Sequence, residues 1–356
     1  MKVIVTGGAG FIGSEVIRQT LKLGWDVVNI DKLTYGGAPD FSDLSQNNAN
    51  YSFEHINICD EKKLRKIFFH HKPDYIINLA AESHVDRSID SPSAFIKSNI
   101  EGTFHLLETA LEYIQTLSGI KKTLFRFLQV STDEVFGELQ PRDEPFTSRS
   151  PYAPRSPYSA SKAASDHLAR AWHYTYNLPV IISHSSNNYG PYQLPEKLIP
   201  LMIIKGIQKR KMPIYGSGEN IRDWIHVSDH ASALIKILTN GRIGESYLVG
   251  ANDEFSNIKV VEKICGILDK ILGEEPHRQY ISFVEDRPSH DQRYALDSTK
   301  MSDELGWSPK IKFQEGLKNT ILWYLDNESW WKPLVSSKRL GDRQGLNRRF
   351  KSNKLE

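Results

Sequence analysis

The chain has 356 residues, 39% apolar and 25% charged, enough for one large or two ordinary domains with a sizeable core. Its formal net charge of +2, with both signs interspersed, offers no surface field to gather nucleic acid or an anionic membrane, so neither is expected as a partner. Cys59 and Cys265 alone cannot build a disulfide framework and lack a zinc-type spacing, so no metal and a reducing, cytoplasmic setting are expected.

The strand pattern begins at Lys2, which leaves no room for a leader, and no window holds about 18 uninterrupted apolar residues. Short β-rich runs at 3–5, 26–29, 52–57, 75–79, 125–130 and 179–183 alternate with helical patterns at 12–23, 61–70, 94–117 and 159–176. That order predicts an α/β protein: a Rossmann-type, doubly wound parallel sheet with helices on both faces. After about residue 186 proline and glycine punctuate the chain and the elements shorten, predicting a smaller mixed α/β domain. A helix at 229–238 and a strand at 246–249 then suggest a return to the first. The expected division is 1–186, rejoined by about 222–250, against 187–221 and 251–333. The tail, 334–356, carries seven Lys or Arg against Asp342 and Glu356 and reads as a frayed polar terminus.

Gly7-Gly8-Ala9-Gly10-Phe11-Ile12-Gly13 follows the first strand and opens the first helix, the context a dinucleotide fingerprint requires. Gly7 and Gly10 allow a tight turn and close approach of the backbone to a pyrophosphate, Gly13 allows close helix packing, and the helix N-terminus offers amide donors. Asp31 ends the second strand, where a carboxylate bonds both ribose hydroxyls and repels a 2′-phosphate, so NAD is expected rather than NADP; the neighbouring Lys32 works against that discrimination. Tyr158 and Lys162 stand four apart at the start of a helical pattern, on one face, where an ammonium can favour a phenolate. Ser131-Thr132-Asp133-Glu134 follows the fifth strand, at the carboxyl end where open α/β sheets place their ligands.

The run Thr132-Asp133-Glu134-Val135-Phe136-Gly137, together with the Tyr158 and Lys162 pair and the glycine-rich opening, resembles the dTDP-glucose 4,6-dehydratases, members of the extended short-chain dehydrogenases. The likeness continues through 79–86, 187–192, 195–200, 221–224 and 286–291, and covers essentially 1–333. It implies that Tyr158, assisted by Lys162 and with Thr132 on the C4 hydroxyl, takes a proton as C4 is oxidised by NAD. Glu134 then takes the C5 proton while Asp133 gives one to the departing C6 hydroxyl. It further implies NAD contacts at Phe11, Ile12, Asp31, Lys32, Leu33, Thr34, Asn57, Ile58, Ala80, Ala81, Ser98 and Asn188. Contacts to the nucleotide sugar are implied at Ser83, Thr132, Asn187, Lys197, Leu198, Pro213, Ile214, Tyr215, Arg222, Asn257, Asp286, Arg287 and His290. Arg222 and Arg287 suit the diphosphate, because a guanidinium fork bonds two phosphate oxygens. Asn57 stands where the family usually has Asp, Phe136 where Tyr is common and Ser289 where Gly is common. The helices at 94–117 and 159–176 match a pair that related enzymes pack across a twofold axis, implying a homodimer through a four-helix bundle. A nucleotide-sugar 4-epimerase would share the cradle and the Tyr158 and Lys162 pair but needs no acid and base at C6 and C5. A non-catalytic nucleotide-sugar sensor should have lost some of these groups.

Overall fold

Lys2 to Thr6 is apolar on both sides, and in the computed structural model, which describes residues 1–34, 48–273 and 276–336, it forms β1 (Lys2–Thr6), buried on both faces. On one side of it lie β2 (Asp26–Asp31) and β3 (Tyr51–His55). On the other lie β4 (Tyr75–Asn78), β5 (Arg126–Thr132), β6 (Val180–Ser185) and, from much later in the chain, β10 (Ser246–Val249). All seven strands are parallel, in the order β10-β6-β5-β4-β1-β2-β3. The order reverses between β1 and β4, so their carboxyl ends splay into the crevice where such sheets hold ligands.

Alternation along β1 divides the core. Val3 and Val5 pack with Val16 and Ile17 of α1 (Phe11–Lys22), while Ile4 packs with Leu64 and Phe68 of α2 (Glu61–His71), Leu106 and Leu107 of α3 (Gly102–Gln115) and Ala169 of α4 (Pro157–Tyr176). The predicted helix over 94–117 is not one regular helix. A short turn, Pro92–Phe95, passes into a π-helical segment, Ile96–Glu101, before α3 begins. Buried Asn99 supplies a physical reason: its amide bonds both backbone groups of Glu82 and the Ser161 hydroxyl, which fixes the wide turn.

Other elements surround a second core, while the helix Thr299–Leu305 packs on β10 and adds Met301 and Leu305 to the first. α5 (Leu198–Ile207), α7 (Asn257–Leu272) and α8 (Phe313–Asp326) pack against the three-stranded sheet β11-β9-β7 and the parallel pair β12-β8. These strands are β7 (Asn187–Tyr189), β8 (Met212–Tyr215), β9 (Ile221–His226), β11 (Glu254–Ser256) and β12 (Ile281–Val284). Within 222–250, the chain stays in the small sheet to His226; α6 (Val227–Asn240) then packs on α1 and β10 joins the large sheet. The basic tail, apart from 334–336, lies outside the described residues, among which no helix is long and apolar enough to cross a membrane.

Candidate active site

The turn after β1 leaves no room for a Cβ at Gly7, Gly8 or Gly13. Gly7 has φ +70°, and a Cβ there would lie 2.7 Å from the Ala80 nitrogen; one on Gly13 would lie 2.2 Å from the Gly7 carbonyl oxygen. Asp31 accepts N–H bonds from Ala9 at 3.0 Å and Leu33 at 2.8 Å, which oppose the upward pull of burial on its pKa. The Lys32 ammonium is held 3.0 Å from Glu82 and 3.4 Å from the Ser98 hydroxyl, so its charge is countered next to Asp31. One cavity is lined by Gly7, Gly10, Phe11, Ile12, Gly13, Asp31, Lys32, Thr34, Ile58, Ala80, Ala81, Ser98 and Asn188. A cradle with no room for a Cβ at Gly7, Gly8 or Gly13, an open helix N-terminus and a strand-end carboxylate fit a dinucleotide without a 2′-phosphate. Leu33 and Asn57 do not line it. Leu33 uses its N–H on Asp31, and Asn57 turns its amide oxygen onto the Cys59 N–H at 3.0 Å.

The same cavity is lined by Thr132, Asp133, Glu134, Tyr158 and Lys162. Thr132 ends β5 and accepts the Glu134 N–H at 3.3 Å, opening a 3₁₀ turn, Asp133–Phe136, that presents the two carboxyls. α4 starts beside it on a capping box: Ser156 and Ser159 exchange side-chain and backbone bonds, with Pro157 in the first turn. Tyr158 and Lys162 are thereby set one turn apart, with the Lys162 ammonium donating to the Val130 carbonyl at 2.7 Å.

Burial differentiates these groups. Asp133 is pushed well above the usual carboxylate range by burial and then by the Glu134 charge, and its Oδ2 has no partner among the described residues. Glu134 is also raised by burial, but Arg287, Arg222 and Lys197 oppose the rise. Burial and the Glu134 charge raise the Tyr158 phenol, which the Thr132 hydroxyl opposes. The Lys162 amine is drawn down by burial and back by Asp166.

On the sugar side, Ser83, Asn187 and Lys197 line the cavity, with the Lys197 ammonium 3.2 Å from the Ser83 carbonyl. Arg222 is buried, donates to the Ile221 and Asp291 carbonyls at 2.7 Å each and lies 4.4 Å over the Tyr294 ring. Arg287 donates to Asp86 at 3.0 Å, and the Tyr215 hydroxyl to the other Asp86 oxygen at 2.9 Å. His290 meets Asp286 at 2.6 Å. These five, with Leu198, Pro213, Ile214 and Asn257, do not line the cavity. Two are committed elsewhere: Ile214 is turned into the second core and Leu198 packs against it. Residues not expected at the site also stand there or behind it. Glu82 and Glu196 line the cavity, Asn99 anchors Glu82, and Asp86 gathers Arg287 and Tyr215. Glu82 and Glu196 lie inside the runs 79–86 and 195–200 that carried the resemblance. Glu196 pairs with Arg87 at 3.1 Å and stands 4.0 Å from His84, whose pKa burial lowers to about 3.

Residues 4–320 match the family described as GDP-mannose 4,6 dehydratase. A dTDP-glucose 4,6-dehydratase of Escherichia coli is 50% identical, covering 97% of this chain and 99% of its own. The dTDP-glucose 4,6-dehydratase DesIV of Streptomyces venezuelae, solved with NAD and TYD bound, is 41% identical over 94% of this chain and 100% of its own, with a TM-score of 0.84. A UDP-glucose 4-epimerase of Thermotoga maritima shares the fold at 29% identity over 92% of this chain and 100% of its own, with a TM-score of 0.80, so the fold alone does not choose between the two chemistries. Identity over nearly the whole length, with the carboxyl pair in the cavity that the phenol and lysine share, makes the choice: the chain belongs to the dTDP-glucose 4,6-dehydratase family.

Proposed function

We propose that the chain is an NAD-dependent hydro-lyase that converts dTDP-glucose to dTDP-4-keto-6-deoxyglucose. The glycine cradle, Asp31 and the walls formed by Ala80, Ala81, Ser98 and Asn188 would hold NAD. Bound there, NAD would supply the redox chemistry needed at C4 and then at C6. Tyr158 takes up the proton of the C4 hydroxyl, with Lys162 beside it and Thr132 orienting that hydroxyl. A ketone at C4 acidifies C5. Glu134, kept ionisable by nearby cations, removes the C5 proton; Asp133, kept protonated by burial, gives its proton to the C6 hydroxyl, which leaves as water, and a proton returns to C5 as C6 is reduced. The carrying observation is that both carboxyls open onto the Tyr158 cavity, since epimerisation at C4 has no use for them. The relatives support a dTDP-linked sugar.

Incubated with dTDP-glucose, the purified protein is expected to form a 4-keto product that absorbs in alkali, with no net NADH. Recovery of dTDP-galactose would move the assignment to the epimerases. Product from UDP-, GDP- or CDP-glucose alone would move the nucleotide.

We infer further that 1–186, rejoined through about 222–250, serves the cofactor, while 187–221 and 251–333 serve the nucleotide sugar in a cytoplasmic enzyme. A homodimer through α3 and α4 is supported by the aromatic residues those helices expose, Phe104, Tyr174 and Tyr176.

A further inference from the structure

Beside β5 lies a buried polar cluster that the mechanism above leaves unused. Asp166, fully buried on α4, stands one helical turn beyond Lys162. Its Oδ2 accepts from the Ser131 hydroxyl at 2.5 Å and the Tyr152 hydroxyl at 3.2 Å, with His184 Nε2 at 3.4 Å. Tyr152 and His184 meet at 2.7 Å, and Arg170 bonds both the Tyr152 and Ser246 hydroxyls, so the cluster ties α4 to β5, β6 and β10. Ser131 sits between Val130, whose carbonyl holds the Lys162 ammonium, and Thr132. Asp166 Oδ1 and His184 Nδ1 are buried with no partner among the described residues, an arrangement that stability alone would not favour.

We propose that Asp166 is a positioning residue of the reaction: from within α4 its negative charge favours the Lys162 ammonium, and through Ser131 it fixes the end of β5 that carries Thr132. Its kinetic consequence rests on the dehydratase reading; its effect on Lys162 does not. The titratable and charged groups around it are Lys162, Tyr158 and Arg170 on its own helix, Tyr152 from the preceding loop and His184 on β6. Burial favours the neutral amine of Lys162, and Asp166 is the charge that restores the ammonium. The same charge disfavours a Tyr158 phenolate, where it ranks behind burial and the carboxyls of Glu134 and Asp133.

The test compares Asp166→Asn, Asp166→Glu and Ser131→Ala in the full chain with NAD and dTDP-glucose. In Asp166→Asn, kcat is expected to fall roughly tenfold or more while KM changes less than about twofold. The pH profile of C4 oxidation, followed in a single turnover, moves to lower pH, because losing an anion lowers the pKa of Lys162 and Tyr158 together, and Asp166→Glu recovers it. In protein carrying ¹³C-lysine, without substrate, the Lys162 signal, assigned by its loss in Lys162→Met, titrates at lower pH in Asp166→Asn and is unmoved in Ser131→Ala. A uniform loss of kcat with the profile and the Lys162 titration unmoved makes Asp166 structural only and overturns the proposal. Should Asp166→Asn fail to fold, the parent decides: a Lys162 amine already neutral at pH 7 overturns the proposal, and an ammonium supports it. A parent inactive on every nucleotide sugar, with the Lys162 shift intact, sinks the dehydratase reading and upholds the electrostatic link.

Discussion

Asp133 and Glu134 are neighbours with the same chemistry, and only their surroundings separate them. Against burial and the Glu134 charge, Asp133 has Arg222 and the Thr132 hydroxyl at 3.2 Å, whereas Glu134 has Arg287, Arg222 and Lys197. Asp133 is therefore pushed higher, leaving a pH window in which Glu134 is ionised and Asp133 is not. Elimination needs Glu134 as the carboxylate, so its rate falls as pH drops through the raised Glu134 pKa; it needs Asp133 as the acid, so it falls again as pH rises through the higher Asp133 pKa. Glu134→Gln is expected to slow elimination by about 10²- to 10⁴-fold and Asp133→Asn by a similar factor, while C4 oxidation, seen as reduced cofactor in a single turnover, persists in both. Stability moves oppositely. A carboxyl whose pKa is raised by folding loses its contribution as pH rises through the folded-state value, and an amide has no proton to lose. Asp133→Asn should thus melt above the parent at alkaline pH in a pH series of thermal scans; a lower melting temperature there would count against a buried neutral acid.

Two glycines in helices test what the elements do. Gly13 faces the Gly7 carbonyl, where an added Cβ would sit at 2.2 Å, while a Cβ at Gly266 in α7 would meet nothing within 4 Å. Gly13→Ala must lift α1 from its turn, with an expected loss of roughly 1–3 kcal/mol of stability and about a tenfold weakening of NAD binding by calorimetry. Gly266→Ala should stabilise by roughly 0.5–1 kcal/mol in denaturant titrations and leave NAD binding unchanged. The large sheet was legible for the reason these residues differ: buried parallel strands read as apolar runs, and the turn after β1 admits nothing but glycine at its closest approaches. The Tyr158 and Lys162 pair was legible because a capped helix makes spacing equal to geometry. Other features were not. The π-helical segment Ile96–Glu101 is too short to print a period, and α5 is apolar nearly all round, with Pro200 and Gly206 inside it, so it showed no amphipathic stripe. Glu82 and Asp86 owe their roles to partners in other segments, Lys32 for one and Arg287, 201 residues on, for the other, and no local pattern announces such pairs.

At the scale of the molecule, α3 and α4 have two duties. Their inner faces close one side of the sheet and bring Tyr158 and Lys162 to the site; their outer faces leave Phe104 37%, Tyr174 76% and Tyr176 50% exposed. The Phe104 and Trp172 rings meet at 5.8 Å and those of Trp172 and Tyr176 at 5.6 Å, so Phe104 and Tyr176 join across the two helices through Trp172. Apolar residues concentrated this way are what a self-complementary helical interface buries. Light scattering of the parent should therefore give the mass of two chains. Replacing Phe104 and Tyr176 together by Glu would set like charges on both sides of the proposed twofold axis and should leave monomers. The long helix that carries the phenol and lysine would then lose its outer support, so kcat should fall while NAD still binds at the far edge of the same cavity. A parent that is monomeric at micromolar concentration, with full activity, would separate these helices from any role in assembly.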